Sequence, residues 1–108
     1  MSKRTETVLI TGASTGIGFA VARAFLDRGS NLVLNSKDSD RLEAAYESLG
    51  RPDNAVLVAG DVSDKAVGQR MVDTALEKFG RVDVLVNSVE ALANNAKGAA
   101  NALPGWGR

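Results

Sequence analysis

The chain has 108 residues, 44% of them apolar and 24% charged, the length and make-up of one ordinary globular domain rather than of a disordered segment. Thirteen basic residues balance thirteen acidic ones, so no net field draws the chain to nucleic acid or to an anionic membrane, and neither is expected as a partner. Cysteine and histidine are both missing, which excludes disulfides, thiolate nucleophiles, imidazole bases and the usual zinc ligands; any chemistry falls to hydroxyls, carboxylates, Lys, Arg or the backbone.

Taken in chain order, Met1 to Thr7 holds no apolar stretch long enough for a secretory signal, and no later segment approaches the roughly 20 apolar residues of a membrane span. A cytoplasmic protein is expected. Thr7-Val8-Leu9-Ile10-Thr11 is a short apolar run without polar alternation, as suits a strand covered on both faces. Ile17, Ala20, Val21, Ala24 and Phe25 then fall at i, i+3, i+4, i+7 and i+8, which predicts a helix with that stripe as its apolar face, ended by Gly29. A second strand is expected over Asn31–Asn35, then a shorter, more polar helix over Asp40–Leu49, capped by Ser39 and stopped by Gly50-Arg51-Pro52. The third strand, Ala55–Ala59, leads to a helix capped by Ser63 that carries Val72, Ala75, Leu76 and Phe79 to Gly80. Asp83–Asn87 is the fourth strand. This alternation predicts parallel βαβ units with helices on both faces of one sheet.

From Val89 to Arg108 the composition turns to Ala, Asn and Gly and gives no further strand run. Residues 1–88 are therefore expected to form one unit and 89–108 a tail. A weak helix from Ser88 through Leu103 and a frayed or partner-dependent segment are both compatible with that tail.

The turn after the first strand is the most informative stretch. Gly12, Gly16 and Gly18 stand where glycine permits positive φ and where a missing Cβ lets a ligand touch the backbone. The helix that begins there points unpaired N–H groups and the positive end of its dipole outward, an arrangement that favours phosphate. Ser14 and Thr15 add hydroxyl donors. No Gly-Lys-Ser or Gly-Lys-Thr follows, which rejects a Walker-type loop.

Thr11-Gly12-Ala13-Ser14-Thr15-Gly16-Ile17-Gly18 resembles the TGxxxGxG cofactor motif of the short-chain dehydrogenase/reductase family. Asp61-Val62 is similar to that family's pair beside the adenine. Val82-Asp83-Val84-Leu85-Val86-Asn87 resembles its fourth strand leading into Asn-Asn-Ala-Gly, so the likeness covers about residues 5 to 87. The resemblance implies half of a doubly wound, Rossmann-like α/β sheet of strand order 3-2-1-4. It also implies dinucleotide binding by Gly12, Ser14, Thr15, Gly16, Ile17, Gly18, Ser36, Lys37, Asp61, Val62 and Asn87. The family's ribose-recognition position falls near Ser36. A carboxylate there would accept the ribose hydroxyls and repel a 2′-phosphate, so its absence beside Lys37 favours NADP(H) over NAD(H). Lys37 as an ordinary solvated lysine, and Asp61 as a cap for the helix starting at Ser63, are the competing readings.

Two departures from the family pattern matter. Ser88-Val89-Glu90 stands in place of Asn-Ala-Gly, and Glu90 brings a negative charge toward sugar and phosphates at a cost of about 1 kcal/mol; Asn94-Asn95-Ala96 echoes the lost motif further on. The family's catalytic serine and Tyr-x-x-x-Lys pair, in which lysine lowers the tyrosine pKa, find no counterpart. The one tyrosine, Tyr46, is followed four residues later by Gly50, and it is expected to pack on its helix. Glu43, Glu47, Asp73 and Glu77 are spaced as exposed helix faces, so neither a catalytic residue nor a metal site is assigned. The expectation is a cofactor-binding half-domain without catalysis of its own, with a frame change near Ser88 as one origin of the altered tail. A ligand-free dimerisation scaffold is the alternative, and an enzyme completed by a partner chain a third reading. An exposed fourth-strand edge, or an exchanged tail, predicts a homodimer.

Overall fold

The computed structural model describes residues 5–88. Four parallel strands, β1 (Thr7–Thr11), β2 (Asn31–Ser36), β3 (Ala55–Ala59) and β4 (Val84–Asn87), alternate with helices α1 (Gly16–Asp27), α2 (Ser39–Ser48) and α3 (Lys65–Phe79). Their order across the sheet is β3-β2-β1-β4, all parallel. This is the expected order. The tail from Val89 onward, with the proposed helix through Leu103, Glu90 and the Asn94-Asn95-Ala96 echo, lies outside the described residues.

Side-chain alternation along the strands builds two separate cores. Val8, Ile10, Leu32 and Leu34 face α1 and α2, where they meet Ala22, Leu42 and Leu49. Leu9, Val33 and Val58 face α3 and pack on Val67, Met71 and Ala75. Because both faces are covered, β1 is buried at every residue, and its run shows no polar alternation.

The expected helix faces need correction. In α1 the side against the sheet carries Gly18 and Ala22, flanked by half-buried Phe19, Leu26 and the expected Val21 and Phe25, while Ala20 and Ala24 are exposed and Ile17 is 69% exposed. The packed row is the expected stripe shifted by one residue: small side chains win the contact because the helix start lies so close to the strand end. In α3 the expected Val72, Ala75 and Phe79 do pack against the sheet, joined by buried Val67, Gly68 and Met71, and Leu76 alone of the expected face points outward, at 51% exposure. Periodicity placed both helices and most of the α3 face, and missed the rotation of α1 by one residue.

Both expected serine caps are also displaced by an adjacent aspartate. The Asp38 carboxylate accepts from the Asp40 and Arg41 amides at 2.9 and 3.2 Å, which makes Ser39 the first helical residue of α2 instead of its cap. At α3 the Asp64 carboxylate accepts from the Ala66 amide at 2.9 Å, and Ser63 donates its hydroxyl to Asp61. A charged acceptor at the positive end of the helix dipole outcompetes a neutral hydroxyl. At the strand ends, β2 runs one residue further, to Ser36, and β4 starts at Val84, one residue later than expected.

Tyr46 packs on its helix as expected, its hydroxyl donating to the Pro52 carbonyl at 3.0 Å. Arg51 lies over its ring, 5.0 Å from the centroid, and bonds Glu43 and Glu47. These contacts hold Arg51 at φ 51°.

Met71 is fully buried at the centre of the α3-side core. Met71→Ala is expected to lower unfolding free energy by about 2–5 kcal/mol, measured as a shift of the urea midpoint with an unchanged slope.

Candidate functional site

In a parallel sheet every strand ends at the same edge, so the three turns that start α1, α2 and α3 converge there. Between β1 and its two neighbours the chain direction of winding reverses, with β2 and β3 on one side and β4 on the other. That switch point opens the crevice in which open α/β sheets bind ligands.

The glycine turn lines the crevice. Gly12 and Gly16 have φ of 60° and 53°, values that L side chains rarely adopt. Gly18 is different: its φ is ordinary, but a Cβ there would overlap the Gly12 carbonyl oxygen and lie 2.8 Å from the carbonyl carbon. The third glycine therefore lets α1 settle directly on the end of β1. Thr15 takes the N-cap position with extended backbone and makes no side-chain capping bond, and the first turn of α1 contains no acidic residue. The other two helices are both capped by aspartate. Of the three helix starts at this edge, only that of α1 keeps its dipole unopposed by a carboxylate.

Along the β2 and β3 ends the predicted residues are also brought together. Ser36 is fully buried, with its hydroxyl oxygen 2.8 Å from that of Ser14, so the β2 end is stitched to the glycine turn. Lys37 projects outward and its ammonium lies 3.8 Å from the Asp61 carboxylate. Asp61 accepts from both the amide and the hydroxyl of Ser63, at 2.9 and 2.7 Å. Those bonds, chiefly the one from the Ser63 amide, hold its pKa below the ordinary 3.8, with Lys37 adding to the effect. Asp61 thus closes a turn one step ahead of the helix, while the capping itself falls to Asp64. Val62 is half-buried beside it.

At the β4 end, Asn87 Oδ1 and the Ser88 carbonyl both lie 3.1 Å from the Thr11 hydroxyl, which itself accepts from the Ser88 amide at 3.0 Å. Thr11 is fully buried, and its single proton serves one of the two acceptors at a time. Sequence reasoning missed Asn35, 1% exposed, whose side chain and backbone both reach neighbouring turns. The signal was present as a polar residue inside an apolar strand of a doubly covered sheet. Among the described residues, no trio of Asp or Glu side chains gathers as metal ligands would.

With this geometry in view, the relatives of the chain fall into place. The sequence profile of the short chain dehydrogenase family matches residues 6–102, beyond the Asn87 limit of the motif resemblance. An L-rhamnose 1-dehydrogenase (NAD(P)(+)) of Sphingomonas is 42% identical over 87 residues, spanning 77% of this chain and 34% of that protein. A short-chain dehydrogenase/reductase of Brucella melitensis, described as a glucose/ribitol dehydrogenase, superposes with a TM-score of 0.74 at 38% identity, covering 82% of this chain and 38% of the other. One from Burkholderia phymatum, solved in complex with NAD, gives 0.74 at 34% identity, covering 82% and 32%. The chain belongs to the short chain dehydrogenase family. It spans about a third of the length of these relatives.

Two measurements check the site. Gly18→Ala forces backbone apart and is expected to destabilise by about 1–3 kcal/mol. Gly16→Ala has open space around it and carries only its positive-φ cost of about 1 kcal/mol; urea unfolding of both variants gives the order. For Asp61 the folded pKa is the depressed one, so the stabilisation is complete above the unfolded pKa and is lost as pH falls through the folded value. The Ser63 amide resonance should accordingly titrate with a midpoint below 3.8.

Proposed function

We propose that this chain is the cofactor-binding portion of a short chain dehydrogenase and that it takes NADP(H) in preference to NAD(H). The carrying observation is the start of α1, where a three-glycine turn meets the one helix start among the described residues left without a carboxylate cap. In this reading the backbone amides of the 12–18 turn, with the Ser14 and Thr15 hydroxyls, hold the pyrophosphate. Ile17, exposed at the mouth, and Gly18, against Gly12, shape the floor around it. Asp61 and Val62 flank the adenine, and Asn87 stands on the nicotinamide side.

The choice of NADP(H) rests on the lip of β2. Ser36 offers no carboxylate, and Lys37 presents a cation at the position that a 2′-phosphate would occupy. Its ion pair with Asp61 is exposed and long at 3.8 Å, so an arriving phosphate dianion displaces it at little cost. Support for a dinucleotide of either kind comes from the relatives, one described with NAD(P)(+) and another bound to NAD.

In this reading the described part of the chain does not supply the proton transfer of an oxidoreductase. Tyr46, its one tyrosine, donates to the Pro52 carbonyl on the α2 side of the sheet. The proposal is therefore binding without turnover by this polypeptide, the chemistry belonging to residues it does not carry. A second reading has one observation in its favour: Lys37 and Asp61 already pair with each other, as in a scaffold that needs no ligand.

For the isolated polypeptide we also propose a homodimer through β4. Among the described residues β4 pairs with β1 alone, and Val82 beside it is 38% exposed. Such an edge is a template for a second copy.

Fluorescence titration with NADPH and NADH separates the two readings. NADPH is expected to bind severalfold more tightly, Lys37→Ala to remove that preference, and Gly16→Val to weaken both. Equal affinities unaffected by Lys37→Ala overturn the NADP(H) assignment, and binding of neither leaves the scaffold reading. Sedimentation velocity is expected to give a dimer that Val82→Lys dissociates; a monodisperse wild-type monomer removes the dimer.

A further inference from the structure

The dipeptide Asn35-Ser36 sits at the end of β2 between the two turns assigned above to the two ends of the cofactor. Both residues are buried, at 1% and 0% exposure, and both are polar, an arrangement that persists only when the polar groups are bonded. Toward the glycine turn, the Asn35 carbonyl accepts from the Ala13 amide at 2.8 Å, and the Ser36 and Ser14 hydroxyl oxygens lie 2.8 Å apart. Toward the β3 turn, the Asn35 side-chain amide donates to the Val58 and Gly60 carbonyls at 2.9 and 3.0 Å. The Ser36 carbonyl accepts from the Gly60 amide at 2.9 Å.

Gly60 is held from its other side too. Its φ is 143°, and a Cβ would come within 2.7 Å of a Val67 methyl of α3. Two groups of the clasp grip its amide and carbonyl while α3 closes the space behind. The next residue is Asp61, whose carboxylate faces Lys37. Simple sheet closure does not call for such a residue, since Leu34 and Val33 fill the preceding positions of the same strand with apolar side chains.

We infer that Asn35 and Ser36 are positioning residues that couple the glycine turn to the Gly60–Asp61 turn, so that the phosphate side and the adenine side of the site are set by one hydrogen-bonded unit. The inference builds on the dinucleotide reading for what the coupling serves. The coupling itself is a property of the free chain. A contiguous network carries such coupling only if disturbing one end is felt at the other.

Native-state amide exchange in the unliganded chain tests this directly. Ser14→Ala removes a hydroxyl from the glycine turn, far from Gly60 in sequence. It is expected to speed exchange of the Gly60 amide severalfold, with Leu9 and Val33 amides unchanged as reporters of global stability. Ser36→Ala should do the same, the double variant should add nothing further, and Ser14→Thr should restore the wild-type rate. In the binding arm, adenosine 2′-monophosphate lacks the 5′-phosphate assigned to the glycine-turn amides; Ser14→Ala is nevertheless expected to weaken it severalfold. Exchange changes confined to residues 12–18 overturn the inference whether or not any nucleotide binds. Failure of the wild type to bind NADPH or the monophosphate, with the exchange pattern as expected, overturns the cofactor reading and leaves the clasp in place.

Discussion

The contact between Gly18 and the Gly12 carbonyl is the constraint on which the rest of the site depends. It brings the first turn of α1 onto the end of β1 with no side chain between them. From that contact follow the rotation of α1, with Gly18 and Ala22 against the sheet, and the outward turn of Ile17. The direction in which the helix amides point follows as well. A methyl group at this position would lift the helix and re-aim every one of those donors.

Electrostatics then separates three helix starts that the topology brings to one edge. Aspartates 38 and 64 satisfy the amides of α2 and α3 and oppose their dipoles. The start of α1 has neither a capping side chain nor an acidic first turn. An anion arriving at this edge meets one attractive terminus and two neutralised ones, so the site is defined as much by where carboxylates stand as by the glycines. Lys37 and Asp61 complete that pattern as an exposed pair 3.8 Å apart, whose mutual attraction is weak.

Buried polar groups provide the rigidity that glycines cannot. Asn35, Ser36 and Thr11 are all withdrawn from water and all bonded. Each joins the end of one strand to a turn or strand end elsewhere in the sequence. Low local dielectric strengthens such bonds and penalises losing one. The loops of the site are therefore extensions of the sheet, fixed at the strand ends.

Much of this architecture is legible in the amino-acid order. Apolar runs without alternation marked four strands on both-face burial alone, and the glycine spacing located the tight turn between β1 and α1 because positive φ and close approach are local demands. What the order did not contain was every choice between neighbours. Whether Ser39 or Asp38 caps α2, and whether Ile17 or Gly18 faces the sheet, depends on distances to groups brought close only by folding. Asn35 looked like the last residue of a strand, and its part in the site exists because β3 returns beside it from more than twenty positions away. Local preferences set which elements form. Tertiary packing, which alone decides which atoms compete for the same hydrogen bond or the same space, set how those elements turn and what their polar ends hold.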